Sequence, residues 1–154
     1  MKERIKIPRK KGYKYFYLNS QKQLIEKHYD FLKCRIEKNV LKCVGWIQPE
    51  FCSNAYKVLI EYVVGKEPKT TILYPNVKPG VKIHMYGDHS LCLHYPPDMK
   101  WTEHTRVYQY TVPWITEWII YYELYLVNGG LWEGKESPAH LTDATMNVNQ
   151  DLDD

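Results

Sequence analysis

Between Lys33 and Tyr74 the chain is a succession of short strand patterns joined by tight turns, and no feature restricts its fold more. Lys33–Glu37 and Val40–Ile47 flank Lys38-Asn39, a two-residue turn in which Asn tolerates the left-handed backbone. Tyr56–Val64 is rich in Val, Ile and Tyr, residues that suit a pleated, half-buried surface. Gly65-Lys66-Glu67-Pro68 turns the chain and Thr70–Tyr74 runs back. Hairpins in series predict an antiparallel meander of four strands. Ahead of it, Ser20-Gln21-Lys22-Gln23 has the form of a capping box. Leu24, Ile25, His28, Phe31 and Leu32 then recur at helical spacing, predicting a helix from about residue 20 to 32.

Behind the meander, Pro75 and Pro79-Gly80 interrupt regular structure and open an irregular segment that carries Cys92. After Trp101 helical patterning returns. Pro113 suits a first helical position, and Asn128-Gly129-Gly130 supplies a stop. Trp114, Trp118, Tyr121 and Tyr125 make a stripe that is read as core packing against the sheet, rather than a ligand-stacking surface. The order is an N-terminal helix, a four-stranded antiparallel meander, an irregular active segment and a C-terminal helix, which is an α+β domain.

A chain of 154 residues suits one domain, here residues 18–140, between a basic N-terminal arm (1–17) and an acidic tail (141–154). The arm holds Lys2, Arg4, Lys6, Arg9, Lys10, Lys11 and Lys14, which is where the net charge of +3 is concentrated. Such an arm can meet nucleic acid or an acidic protein. No helix-turn-helix, zinc-finger or RNP pattern accompanies it, so nucleic acid is not the expected partner. The first residues are charged with no apolar stretch after them, so no signal peptide is expected. The most apolar run, Trp114–Val127, contains Glu117 and Glu123 and is too short for a membrane span. Cys34, Cys43, Cys52 and Cys92 are too sparse for a disulfide scaffold, which favours a reducing cytoplasm.

Chemistry concentrates in His84-Met85-Tyr86-Gly87-Asp88-His89-Ser90-Leu91-Cys92-Leu93. Cys92 stands between two leucines, eight residues after His84 and nine before Trp101. A thiol suits acyl relay, because a thioester forms readily and stays reactive toward amines. No Lys or Arg lies close in sequence to activate it, which fits exchange with an already activated acyl thioester. If the piece is extended, Leu91 and Leu93 anchor one face while Cys92 and His94 share the other. Tyr86 has a hydroxyl that can donate to an oxyanion or a ring that simply packs; His84 suits holding the loop; Asp88 and His89 lie near enough to tune a thiol or an incoming amine. A buried, inert Cys92 is the plainer alternative.

His84, His89, Cys92, His94 and His104 could also hold zinc, but their spacing is irregular and no CxxC occurs, so no metal is expected. Nor does any Cys-His-Asn pattern point to a cysteine protease. Glycine-rich phosphate motifs are missing, so no cofactor is expected, and either a separate enzyme activates the acyl donor or the partner's C-terminus is captured by another route.

Together His84, the Leu-Cys-Leu triplet and Trp101 resemble the active-site segment of ubiquitin-conjugating enzymes, over roughly residues 18 to 130. That resemblance implies the UBC-like fold, a thioester at Cys92, and a loop shaped by His84 and Trp101. Where the eukaryotic family has Pro and Asn, this chain has Met85 and Tyr86, and that Asn steadies the loop and the oxyanion. The His-x-Tyr version, with Leu-Cys-Leu-x-Tyr-Pro and the Pro-Trp-x-x-Glu-Trp at 113–118, is similar to a bacterial branch. Its members are stand-alone ubiquitin-conjugating-like proteins of type II cyclic-oligonucleotide antiphage signalling, CBASS. The resemblance implies that Cys92 takes the C-terminal glycine carbonyl of a cGAS-like (DncV-like) nucleotidyltransferase, whose activity it regulates. The alternative within the same fold is a catalytically silent adaptor that binds this partner through its aromatic surface, which 14 Tyr and 5 Trp make available.

Overall fold

A computed structural model describes residues 12–93 and 99–134. Most of the basic arm (1–11), the acidic tail (141–154) and His94 lie outside the described residues. Helix α1 spans Gly12–His28, so residues 12–17 belong to the helix rather than to the arm. Nothing between Tyr13 and His28 breaks a helix, and Tyr13 meets Tyr17 one turn on with ring centroids 4.9 Å apart. Ser20 is therefore mid-helix, and the apparent capping box caps nothing. The buried face is Leu18, Gln21 and Ile25; His28 and Phe31 are exposed, and Leu32 already belongs to the sheet.

The meander forms as the turn and strand signals predict: β1 (Leu32–Glu37), β2 (Val40–Ile47), β3 (Tyr56–Tyr62) and β4 (Lys69–Tyr74), antiparallel in the order β1-β2-β3-β4. Lys38 and Asn39 both take positive φ, 47° and 62°, as a tight hairpin of this twist requires. Strict alternation in β2 and β3 sends Leu41, Cys43, Ile47, Tyr56, Val58, Ile60 and Tyr62 inward. Each such aliphatic side chain contributes on the order of 2 kcal/mol by leaving water. At Gly45 any Cβ would collide with the Phe31 carbonyl, so the α1–β1 connection can lie directly on β2. Cys34 and Cys43 face each other across β1 and β2 and are joined by a disulfide, a departure from the free thiols that a reducing setting implies.

Helix α2 spans Val107–Val127 and places Pro113 inside it, not at its start. The start is set across the fold. The fully buried Gln21 donates from Nε2 to the Thr105 carbonyl (2.8 Å) and accepts from the Val107 N–H (3.1 Å). Beside it, Tyr29 Oη donates to the Tyr108 carbonyl at 2.8 Å and His28 stacks on the Tyr108 ring. These ties, with the buried Val107, Thr111 and Val112, outweigh the hydrogen bond that Pro113 cannot donate. The aromatic stripe is core only in part. Trp118 is buried with Ile115 and Ile119, while Trp114, Tyr121 and Tyr125 are half-buried. The helix ends where the sequence predicts, with Gly129 and Gly130 at positive φ and the Gly130 N–H on the Tyr125 carbonyl. Among the described residues no helix is long and apolar enough to cross a membrane.

Candidate active site

After β4 the chain makes one 3-10 turn, Val81–Ile83, and enters His84 in the left-handed region (φ 55°). This reversal lets the His84 carbonyl accept the Cys92 N–H at 2.8 Å. A second reversal lies between them. The Tyr86 N–H donates to Ser90, the His89 N–H donates to Tyr86, and His89 takes φ 68°. Asp88 locks that turn, accepting from the Ser90 N–H (3.0 Å) and hydroxyl (2.5 Å) while pairing with Lys69 at 2.8 Å. The Lys69 ammonium first, and the Ser90 donors after it, hold the Asp88 carboxyl well below the usual carboxylate range. The segment is fastened to β4 by the Leu91 N–H on Thr70 (2.8 Å) and the Ile72 N–H on His89 (3.1 Å).

Cys92 is 9% exposed. The Tyr86 hydroxyl donates to its Sγ at 3.3 Å. The thiol opens on a small cleft of about 30 Å³, lined from the loop by His84, Cys92 and Leu93. Helix α2 contributes Trp114, Glu117, Trp118 and Tyr121, and Trp132 also lines it. Trp118 Nε1 donates to the Ile83 carbonyl at 2.7 Å, which ties the helix to the loop just before His84. Trp132 lies against His84, Trp118 and Tyr121 with ring centroids 5.2, 6.2 and 5.9 Å apart. Glu117 is the one carboxylate among the described lining residues.

The structure thus brings together Cys92, Tyr86 and His84. Asp88 and His89 serve the turn instead: the Asp88 carboxylate goes to Lys69 and Ser90, and His89 contributes its backbone to β4. Trp101 packs edge-to-face on Tyr110, which in turn meets Trp114, so it supports the cleft through two rings. His104 sits by Tyr17 and Glu103. Leu93 shares the cleft with Cys92, contrary to strict strand alternation, because this piece makes isolated bridges rather than a regular strand. Sequence reasoning missed Glu117 and Trp132. A usable signal existed for the first: Trp114, Glu117, Trp118 and Tyr121 stand at i, i+3, i+4 and i+7, one face of a helix.

A family model described as Type II CBASS E2 protein matches residues 21–140. The chain belongs to that family. The matched span runs from Gln21 past Trp132, so it contains the sheet, the Cys92 loop and the whole lining of the cleft. An E2-like role in CBASS and the two-helix, four-strand α+β arrangement therefore agree. No curated protein matches the chain.

Proposed function

We propose that Cys92 carries an acyl group as a thioester, and that the group is the C-terminal glycine of a cGAS-like nucleotidyltransferase of the same CBASS system. The observation that carries this reading is the placement of Sγ: within hydrogen-bond reach of a phenolic hydroxyl, at the edge of a cleft with aromatic walls. In the charging step sulfur attacks an activated carbonyl, a tetrahedral oxyanion forms, and the original leaving group departs. Tyr86 is a neutral donor beside the reacting centre and takes the role left open by the missing Asn, stabilising that oxyanion. The αL turn at His84, with its carbonyl on the Cys92 N–H, keeps the sulfur aimed at the cleft while the acyl group is exchanged. The chain carries no nucleotide-binding motif, so the carbonyl reaches Cys92 either already activated by a separate enzyme or by capture of the partner's C-terminus through another route.

A silent adaptor remains the second reading, and a specific surface favours it. Phe51 is 97% exposed and shares an apolar groove with Ile120, Leu124, Leu126 and Val127 at the end of α2. One experiment separates the two. The chain is co-expressed with the nucleotidyltransferase and its intact mass is taken without reductant, beside Cys92→Ala. The thioester reading requires an adduct of the two chains less one water, lost on thiol treatment and absent in the variant. An adduct that resists thiol yet needs Cys92 means onward transfer to an amine. No adduct, with Cys92→Ala still functional, leaves the adaptor.

A further inference from the structure

The first turns of α1 carry Tyr13, Tyr15, Phe16 and Tyr17, and none of these rings is buried; the helix joins the core only from Leu18 onward. Tyr15 and Phe16 are 57% and 58% exposed. Tyr17 fixes the cluster, meeting Tyr13, Phe16 and His104 in edge-to-face contacts with ring centroids 4.9, 5.7 and 5.8 Å apart. Beside these rings lies an open groove of about 590 Å³, lined by Phe16, Tyr17 and Leu24 together with Lys27, His104 and Arg106. No residue of its lining bears a carboxylate. Glu26, on the same helix, is spent on Lys22 and the Cys34 N–H. The groove shares no residue with the Cys92 cleft. Ahead of the helix in the sequence, Lys2, Arg4, Lys6, Arg9, Lys10 and Lys11 stand against Glu3 alone and extend the same positive sign.

Two properties coincide at this face, and together they restrict its ligand. The cations favour a polyanion. The uncovered rings favour a flat group that stacks on them. An acidic peptide uses the charge and leaves the rings idle. Duplex nucleic acid keeps its base faces inside the stack. A single strand offers phosphates and base faces at once, and aromatic side chains stack on any base. We propose that the α1 groove binds single-stranded nucleic acid, with Phe16 stacked on a base and Lys27 and Arg106 meeting phosphates. Helix-turn-helix, zinc-finger and RNP patterns belong to other folds of nucleic-acid reader; a groove that binds by charge and stacking needs none of them. The proposal stands apart from the thioester reading, since it uses neither Cys92 nor its cleft.

The test is fluorescence anisotropy of the whole chain with labelled oligo-dT and oligo-U of about 20 nucleotides, at about 50 to 200 mM potassium chloride. One or both strands bind at the low-salt end, and a preference between them tells whether the groove meets deoxyribose or ribose. Affinity falls as salt rises, because phosphate contacts release counterions. Phe16→Ala weakens binding about ten-fold, the loss of one stacked base, and leaves the salt dependence unchanged. Lys27→Ala instead makes it shallower, by about 0.7 in the slope of log affinity against log salt. Both side chains are exposed, so both variants keep the wild-type melting curve. Failure of both strands to bind at low salt overturns the proposal. So does Phe16→Ala at wild-type affinity, which leaves the basic arm acting as a simple polycation. Equal affinity for a duplex of the same length overturns it too, as does displacement of the strand by polyglutamate of equal charge, which would assign the face to an acidic protein.

Discussion

Gln21 is the residue whose loss the fold should feel most clearly. It is fully buried on α1, yet both its amide ends are spent on α2. The first N–H groups of any helix lack partners within it, and Arg106, the residue before α2, makes no side-chain cap. Gln21 caps α2 from another element. In Gln21→Leu, the Val107 N–H and the Thr105 carbonyl lose their partners, at about 1–3 kcal/mol for each group left unsatisfied. The added apolar surface of Leu returns on the order of 1 kcal/mol. The net loss is about 3 kcal/mol, which in a chain of this size lowers the midpoint by about 6–12 °C. Urea and thermal unfolding, followed by tryptophan fluorescence, measure it against Gln23→Leu, a substitution at an exposed position of the same helix. A Gln21→Leu protein within about 1 kcal/mol of wild type, or no worse than Gln23→Leu, would refute the reasoning.

Trp118→Phe removes the donor to the Ile83 carbonyl and should cost about 1–3 kcal/mol by thermal melting, while slowing exchange of a peptide thioester onto Cys92, because α2 is no longer tied to the loop. Asp88→Asn should destabilise the protein at neutral pH. The wild-type carboxylate is held below its ordinary range, so its contribution is complete above about pH 4 and is lost as the pH falls further. The gap between Asp88→Asn and wild type therefore narrows in acid, and a constant gap would show the Lys69 and Ser90 contacts to be without effect. Gly45→Ala puts a methyl group into the Phe31 backbone, which cannot swing aside; a loss above about 3 kcal/mol or insoluble expression is expected, and a soluble protein of wild-type stability speaks against the close approach.

The strands were legible because their information is local. Val, Ile and Tyr alternate through β2 and β3, and the Lys38-Asn39 turn carries its own backbone preference, so the boundaries agree with the sequence pattern within a residue or two. Helix starts were not legible. Ser20 has the form of a cap but sits in mid-helix, and Pro113 has the form of a first residue but lies a turn and a half inside, because Gln21 fixes the beginning of α2 from 86 residues away. The active segment divides in the same way. The resemblance of the segment to ubiquitin-conjugating enzymes links Cys92, Tyr86 and His84, and hydrogen bonds within one short loop join them. Glu117 and Trp132 join the cleft that Cys92 lines only once α2 is laid against the loop, an outcome of packing that no local rule encodes.

The way the Cys92 segment is fastened to the sheet also decides how an extended chain can approach. β4 is a terminal strand, and an unpaired strand edge ordinarily invites a peptide to add on as one more strand. Here the outward Thr70 carbonyl and Ile72 N–H are already occupied by Leu91 and His89, so the edge beside the thiol has no main-chain ladder to offer. The opposite edge, β1, displays Lys33, Arg35 and Glu37 outward, charges that discourage strand addition. A tail that reached Cys92 would therefore have to be held otherwise than by strand addition at Thr70 and Ile72. Exchanging the side chains of its last few residues should alter capture far more than methylating their amide nitrogens.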